Sequence, residues 1–292
     1  MTESASRPLA DAAATADPEA LARRLETVVA SIGPVIVAFS GGVDSALLAL
    51  AAHRVLGDDM MAVTADSASL ATGELDECRE LAGRWSIPWA AVATNELADE
   101  RYVANDTDRC YWCKSALMDQ LTSIEDGPAG AIVTLGVNVD DLGDHRPGQE
   151  AAAARGARFP LVEAGLTKAD VRALARHWGL EVWDRPAMPC LSSRLPYGTP
   201  VTVPLLSRVD RAEAAVRNLG FADVRVRHYD DTARIEVPPD QLGLAVKLAD
   251  RLVADVGAAG YRYVTLDLAG LRSGNLNQGL VPTTTRAGAD GS

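Results

Sequence analysis

The chain has 292 residues, 48% of them hydrophobic and 23% charged, enough for one large domain or two ordinary ones that each bury a core. Its formal net charge is −12, with the acidic excess in the first 199 residues, and no Lys/Arg block or basic stripe occurs, so a nucleic-acid partner held by backbone charge finds no support. The apolar runs are too short for a membrane helix, the first twenty residues do not read as a signal peptide, and four cysteines are too few for a disulfide scaffold. A cytoplasmic protein is expected.

Residues 1–17 are small and polar and predict a disordered tail, as do residues 281–292. Asp17-Pro18, a capping residue followed by proline at the first helical position, opens a helix over 18–31. Strand 35–39, helix 44–56, strand 60–65, a helix over 72–85 capped by Thr72, an extended segment 88–93, a helix near 114–124 and strand 131–135 follow. Short continuous apolar strands between helices predict a parallel sheet covered on both faces. Its ligands bind outside the carboxyl ends of the strands, where Asp66, Asn138 and the turn after the first strand lie. Helix 167–178 closes this unit.

That turn is Ser40-Gly41-Gly42-Val43-Asp44-Ser45. Strand, glycine-rich turn and helix N-terminus make an anion site, because the first-turn N–H groups lack intrahelical partners and the helix dipole favours negative charge. Ser40 and Ser45 add hydroxyls, and Gly41 and Gly42 let the backbone approach a phosphate. It is not a Walker A loop, which ends in Gly-Lys-Ser/Thr.

Residues 184–204 hold Pro186, Pro189, Pro196, Pro200 and Pro204, so no regular element can run through them; they read as a linker that is also an active-site segment. Beyond it, helix 205–219, strand 223–229, strand 232–237, helix 239–256 and strand 261–266 predict a small α+β domain over 205–280. Arg225 and Arg227 share one face of a strand, where two guanidiniums suit a phosphate or pair with neighbouring charges.

Cysteines occur at 78, 110, 113 and 190. Cys110 and Cys113 form a C-x-x-C just before a helix, open to redox, buried or metal-binding readings. Cys78, mid-helix among charged neighbours, reads as a small packed residue. Cys190 stands in a proline-fenced loop beside Ser192, Ser193 and Arg194, surroundings that suit a reactive thiol.

The turn at 40–45 resembles the SGGxDS signature of PP-loop ATP pyrophosphatases, which split ATP between the α- and β-phosphates and adenylate a substrate. With RCYWCK (109–114), GVNVDDLGDHRPG (136–148), PCLSSRLPYGTPV (189–201), VRVRH (224–228), ARIEV (233–237) and YVTLDLAGLRSGNLN (263–277), the chain resembles the LarE family of ATP-dependent sulfur transferases over about residues 18–280. The resemblance implies an adenine nucleotide α-hydrolase-like parallel doubly wound sheet over 18–183, and ATP with Mg²⁺ as cofactors. It also implies adenylation of the carboxylates of pyridinium-3,5-biscarboxylic acid mononucleotide on the route to the nickel-pincer nucleotide of lactate racemase.

The resemblance makes Cys190 the sulfur-transferring thiol. In a sacrificial version it gives up its own sulfur and becomes dehydroalanine. In another, Cys110, Cys113 and Cys190 hold a [4Fe–4S] cluster with one iron open to sulfide; with cysteine at all three positions this version is favoured. Asp44 and Asp140 become candidates for Mg²⁺, Ser193, Arg194, Arg225 and Arg227 for the substrate, and Glu213 and Glu236 for a metal. The implied partners are a small-molecule nucleotide, other nickel-pincer biosynthesis proteins and further copies of the chain. A tRNA thiolase or another PP-loop amide or thioamide synthase, and a non-catalytic nucleotide- or metal-binding regulator, compete with this reading.

Overall fold

A computed structural model describes residues 17–143 and 147–272. The expected C-terminal tail, and all of the N-terminal one but Asp17, lie outside the described residues, as does part of two family motifs. The chain divides into two compact units, Met1–Met188 and Pro189–Ser292, and the division falls inside the proline-rich 184–204 segment.

The first unit is built on a four-stranded, all-parallel sheet in the order β3-β2-β1-β4. Helix α1 (Pro18–Ile32) starts where Asp17 accepts the Glu19 N–H and Pro18 occupies the first turn, and it buries Leu21, Ala22, Leu25 and Val29 along one stripe. Strand β1 (Val35–Ala38) alternates: Val35 and Val37 join the core formed with α1 and α2 (Val43–Leu56), and Ile36 joins the core on the opposite face. Strand β2 (Met60–Asp66), helix α3 (Glu74–Arg84) and strand β3 (Trp89–Ala93) extend the sheet on one side of β1. One-turn helix α4 (Glu100–Val103) and helix α5 (Arg109–Thr122) lead to β4 (Ile132–Leu135), which pairs with the other side of β1. Helices α6 (Pro147–Ala153), α7 (Pro160–Glu163) and α8 (Lys168–His177) complete the unit. The strand order therefore reverses between β1 and β4, the switch point at which sheets of this type bind ligands, and the Ser40–Ser45 turn leaves β1 there.

Two expectations for this unit are corrected. Helix α3 begins at Glu74 rather than at 72, because Gly73 adopts a left-handed conformation (φ 91°) and the Glu74 N–H donates to Ala71 O at 3.1 Å, so Thr72 lies in a turn outside the helix. The C-x-x-C lies inside α5 rather than before it. The N–H groups of Arg109 and Tyr111 donate to Asp106 O and Asp108 O, so helical turning is under way before Cys110.

The second unit pairs a three-stranded sheet, order β5-β6-β7, with helices. Helix α9 (Val203–Asn218) is capped by Thr202 and has Pro204 in its first turn. Strands β5 (Arg225–Tyr229) and β6 (Thr232–Glu236) form an antiparallel hairpin, and β7 (Tyr263–Leu266) pairs with β6 in parallel. Val226, Ala233 and Ile235 pack with Ala212 and Val216 of α9, which leaves Arg225, Arg227, Arg234 and Glu236 on the other face of the strands. The expected helix over 239–256 is interrupted. It divides into α10 (Leu242–Lys247) and α11 (Ala249–Ala258), because the Leu248 N–H is shared by the carbonyls of Leu244 and Ala245 and closes the first helix. One turn of 3₁₀ helix, Leu191–Arg194, sits between Pro189 and Pro196 in the segment read as irregular. Among the described residues no helix is long and apolar enough to cross a membrane.

Gly136, one residue past β4, is where the two halves of the switch point touch. A Cβ there would lie 2.7 Å from Ser45 N and 2.8 Å from the Asp44 carbonyl carbon, both backbone atoms that cannot swing away. Gly136→Ala is expected to cost about 1–3 kcal/mol through overpacking, read as a lowered thermal midpoint. An unchanged midpoint would show that the contact can relax.

Candidate active site

The first unit presents the Ser40–Ser45 turn. No side chain caps α2, whose N-cap is Gly42. Ser45 turns its hydroxyl back instead: Oγ donates to Gly42 O at 3.0 Å, accepts from Ser40 N at 3.2 Å and lies 3.1 Å from Ser40 Oγ. These contacts fold the turn on itself and leave the start of α2 to an anion. Gly41 has φ +70°, a left-handed conformation that favours glycine, and a Cβ there would meet Cys78 Sγ at 3.1 Å. Cys78 is thus the floor of the turn. Burial pushes its thiol up to about 11, so it stays protonated and uncharged at neutral pH. Arg185 braces the same turn from outside, with Nη2 2.6 Å from Glu77 Oε2 and Nη1 3.4 Å from Gly41 O.

Asp44, in the first turn of α2, is held on both oxygens. Asn138 Nδ2 donates to Oδ1 at 2.9 Å, and Lys168 Nζ is ion-paired with Oδ2. Asp140 joins this set through backbone: its Oδ2 accepts the Lys168 N–H at 2.9 Å, and its own N–H donates to Asn138 Oδ1 at 3.0 Å. The two carboxylates expected to hold Mg²⁺ are therefore tied to one residue, Lys168. Each carboxylate oxygen retains a second lone pair, so the donor set still suits a hard cation. Lys168 was not foreseen from the sequence. The available signal was its place at the first position of a helix whose Thr167–Asp170 capping box is legible, a position where the helix dipole disfavours a cation unless an acid meets it.

Cys110 is exposed and Cys113 partly so, and neither is in a disulfide. They lie three residues apart on α5 and so on one side of it. Beside them the Arg101 guanidinium stacks 3.5 Å over the Trp112 ring, and Trp112 Nε1 donates to Asp108 Oδ2 at 3.0 Å.

In the second unit, Cys190 is half-buried at the head of the 3₁₀ turn, and its carbonyl accepts the Ser193 N–H at 2.9 Å. Arg194, Arg227, Glu213 and Glu236 are between 0% and 5% exposed. Glu213 accepts from Arg194 Nε at 2.7 Å, Arg194 Nη2 at 3.1 Å, Arg217 Nη2 at 2.8 Å and Val226 N at 3.0 Å. Glu236 accepts from Arg227 Nη2 at 3.0 Å and Arg234 Nη2 at 3.1 Å. Glu213 accepts two hydrogen bonds on each oxygen, and Glu236, fully buried, faces two guanidiniums whose charge repels a cation, so this pair does not fit a metal ion. Arg194 Nη1 reaches the carbonyls of Pro189 and Cys190 and lies 3.0 Å from Ser193 Oγ, and Arg227 Nη1 donates to Ser193 O at 2.7 Å. Arg225 lies beside them, its pKa lowered by burial and by the charges of Arg227 and Arg194. Arg227 Nε is buried with no hydrogen-bond partner among the described residues. No group of three or more His, Cys, Asp or Glu side chains is gathered for a metal among those residues.

The thiols separate by chemistry. Iodoacetamide at neutral pH is expected to label Cys110, Cys113 and Cys190 of the native protein and to spare Cys78 until the fold is opened with denaturant. Peptide mapping by mass spectrometry reads the result, and labelling of native Cys78 would contradict its place beneath the turn.

No protein-family model matches the chain. Curated relatives do. The pyridinium-3,5-bisthiocarboxylic acid mononucleotide synthase of Lactiplantibacillus plantarum is 39% identical over 264 residues, 89% of this chain and 96% of that protein. An uncharacterized protein of Synechocystis sp. is 46% identical over 245 residues, 83% of this chain and 91% of its own length. A shorter likeness, 41% over 59 residues, links 20% of this chain to 11% of the glutamine-hydrolyzing GMP synthase of Thermomicrobium roseum. The folded turn at the switch point of a parallel sheet and the near full-length match place this chain in the LarE family, that of the pyridinium-3,5-bisthiocarboxylic acid mononucleotide synthase.

Proposed function

We propose that this protein is an ATP-dependent sulfur transferase that converts pyridinium-3,5-biscarboxylic acid mononucleotide into the bisthiocarboxylic acid. The observation that carries the reading is 39% identity spread over 96% of a synthase named for that product. The Ser40–Ser45 turn takes the triphosphate at the start of α2. A substrate carboxylate oxygen attacks the α-phosphorus, pyrophosphate leaves, and an acyl adenylate forms. The Cys190 thiolate then attacks the acyl carbon and AMP departs, which turns an unreactive carboxylate into a thioester. Asp44 and Asp140 would hold Mg²⁺, which neutralises charge on the departing pyrophosphate, and Lys168 brings a further positive charge to the same turn. Arg225 and the unpartnered Nε of Arg227 offer N–H donors to the substrate phosphate, with Ser193 nearby.

Two sulfur sources suit this chemistry. In one, a proton leaves the Cys190 α-carbon, the Cβ–S bond breaks, the thiocarboxylate departs and dehydroalanine remains. In the other, no Cys190 thioester forms: Cys110, Cys113 and Cys190 would hold a [4Fe–4S] cluster by three thiolates, and the cluster would supply sulfide to the acyl adenylate in place of the cysteine sulfur. That none of the three is in a disulfide or fully buried suits ligation. The protein is further proposed to act in the cytoplasm as a homo-oligomer alongside other nickel-pincer biosynthesis proteins.

Purified protein given Mg-ATP and the biscarboxylate is expected to release pyrophosphate and form the thiocarboxylate; no pyrophosphate release would sink the proposal. Cys190→Ser is expected to abolish thiocarboxylate formation while pyrophosphate release persists. A mass loss of one H₂S at Cys190 after turnover assigns the sacrificial route. Multiple turnover that depends on added sulfide, under anaerobic conditions, assigns the cluster route.

A further inference from the structure

We infer that Glu213 and Glu236 are positioning residues that clamp the Cys190 turn through Arg194 and Arg227, and that they do not ligate a metal. The inference rests on the proposal that Cys190 transfers sulfur. All of its parts lie in the second unit.

The Cys190 turn has little regular structure to hold it. It is one 3₁₀ turn between Pro189 and Pro196, and prolines remove the N–H groups by which a longer element would lock it. Two guanidiniums hold it instead. Arg194 uses one edge, Nε and Nη2, as a fork on both oxygens of Glu213, and aims Nη1 at the carbonyls of Pro189 and Cys190. Arg227 repeats the arrangement, with Nη2 on Glu236 and Nη1 on Ser193 O. Each glutamate thus sets the angle of an arginine whose other end grips the backbone on either side of the thiol.

The anchor of this clamp is rigid. Glu213 projects from the buried stripe of α9 beside Val209, Ala212 and Val216, and also accepts the Val226 N–H of β5. Fold stability alone does not account for such an arrangement, since buried ion pairs contribute little that apolar packing would not, whereas a nucleophile displaced by about 1 Å can lose a hundredfold in rate. A metal bound at Glu213 would have to displace Arg194 or Arg217, and one bound at Glu236 would have to enter between Arg227 and Arg234, of which only Arg234 has another carboxylate to turn to among the described residues, Asp267 at 3.6 Å.

The test compares Glu213→Gln and Glu236→Gln with the wild type in the full-length protein. The expected result is a fall of about tenfold or more in thiocarboxylate formed per pyrophosphate released, because the acyl adenylate is hydrolysed before a misplaced thiol reaches it. The rate of Cys190 alkylation by iodoacetamide, followed by peptide mapping, is expected to change in parallel. Equilibrium dialysis with Mn²⁺ is expected to give the same stoichiometry for wild type and variants. An unchanged product-to-pyrophosphate ratio in folded variants, or loss of a bound Mn²⁺ in either, overturns the inference. Where a glutamine variant fails to fold, Arg194→Lys serves: it keeps the charge facing Glu213 but cannot fork and grip at once, and the same fall in ratio is expected. If the wild type releases no pyrophosphate, the proposed function fails, and the alkylation rates still decide whether the clamp positions Cys190.

Discussion

The start of α2 leaves its first backbone N–H groups without a side-chain cap, and much of the first unit is arranged around that open turn. A side-chain cap would consume them, and none is present. Ser45 satisfies its own hydroxyl within the turn, so the turn is shaped without closing it. Keeping the site open places demands on the surroundings. Gly41 takes a conformation a larger residue resists, Cys78 lies beneath it as an uncharged thiol, and Gly136 lets β4 come within backbone contact of the helix. The sheet supplies the location, because the reversal of strand order between β1 and β4 opens a crevice at the carboxyl ends.

The second unit meets a different constraint. Its helix-facing surface is apolar and closes a small core, but the opposite face of β5 and β6 carries three arginines and one glutamate. Burying such groups is costly unless each charge is paired and each donor finds an acceptor. Glu213 and Glu236 meet that condition by accepting from two guanidiniums each. Burial, and after it the charges of Arg227 and Arg194, lowers the pKa of Arg225, and Arg227 Nε is left without an acceptor among the described residues, an arrangement suited to an anion.

Local order was legible in the residues where one rule dominated. Asp17-Pro18 announced α1, and the short apolar runs of β1, β2 and β4 announced a buried parallel sheet. Legibility failed where local rules competed. Thr72 is a good capping residue, but Gly73 in a left-handed turn moved the start of α3 past it. The span 239–256 has helical periodicity throughout, yet a shared hydrogen bond at Leu248 divides it. The cysteine motif, expected just before a helix near 114–124, lies at the start of α5 itself, which begins at Arg109.

The sequence by itself determined the chemical vocabulary. The Ser-Gly-Gly turn, the cysteines at 110, 113 and 190 and the order of the surrounding motifs point to the LarE family, because backbone turns and thiol placement depend on residues close together in the chain. Only the tertiary structure decided who partners whom. Lys168 meets Asp44 from 124 positions away, and Glu213 meets Arg194 from 19 positions away, pairings set by the packing of α8 on α2 and of α9 on the Cys190 turn. Periodicity says that a side chain is buried. It does not say which charge waits for it there, and that is why two glutamates expected at a metal emerged as the counter-ions of arginines.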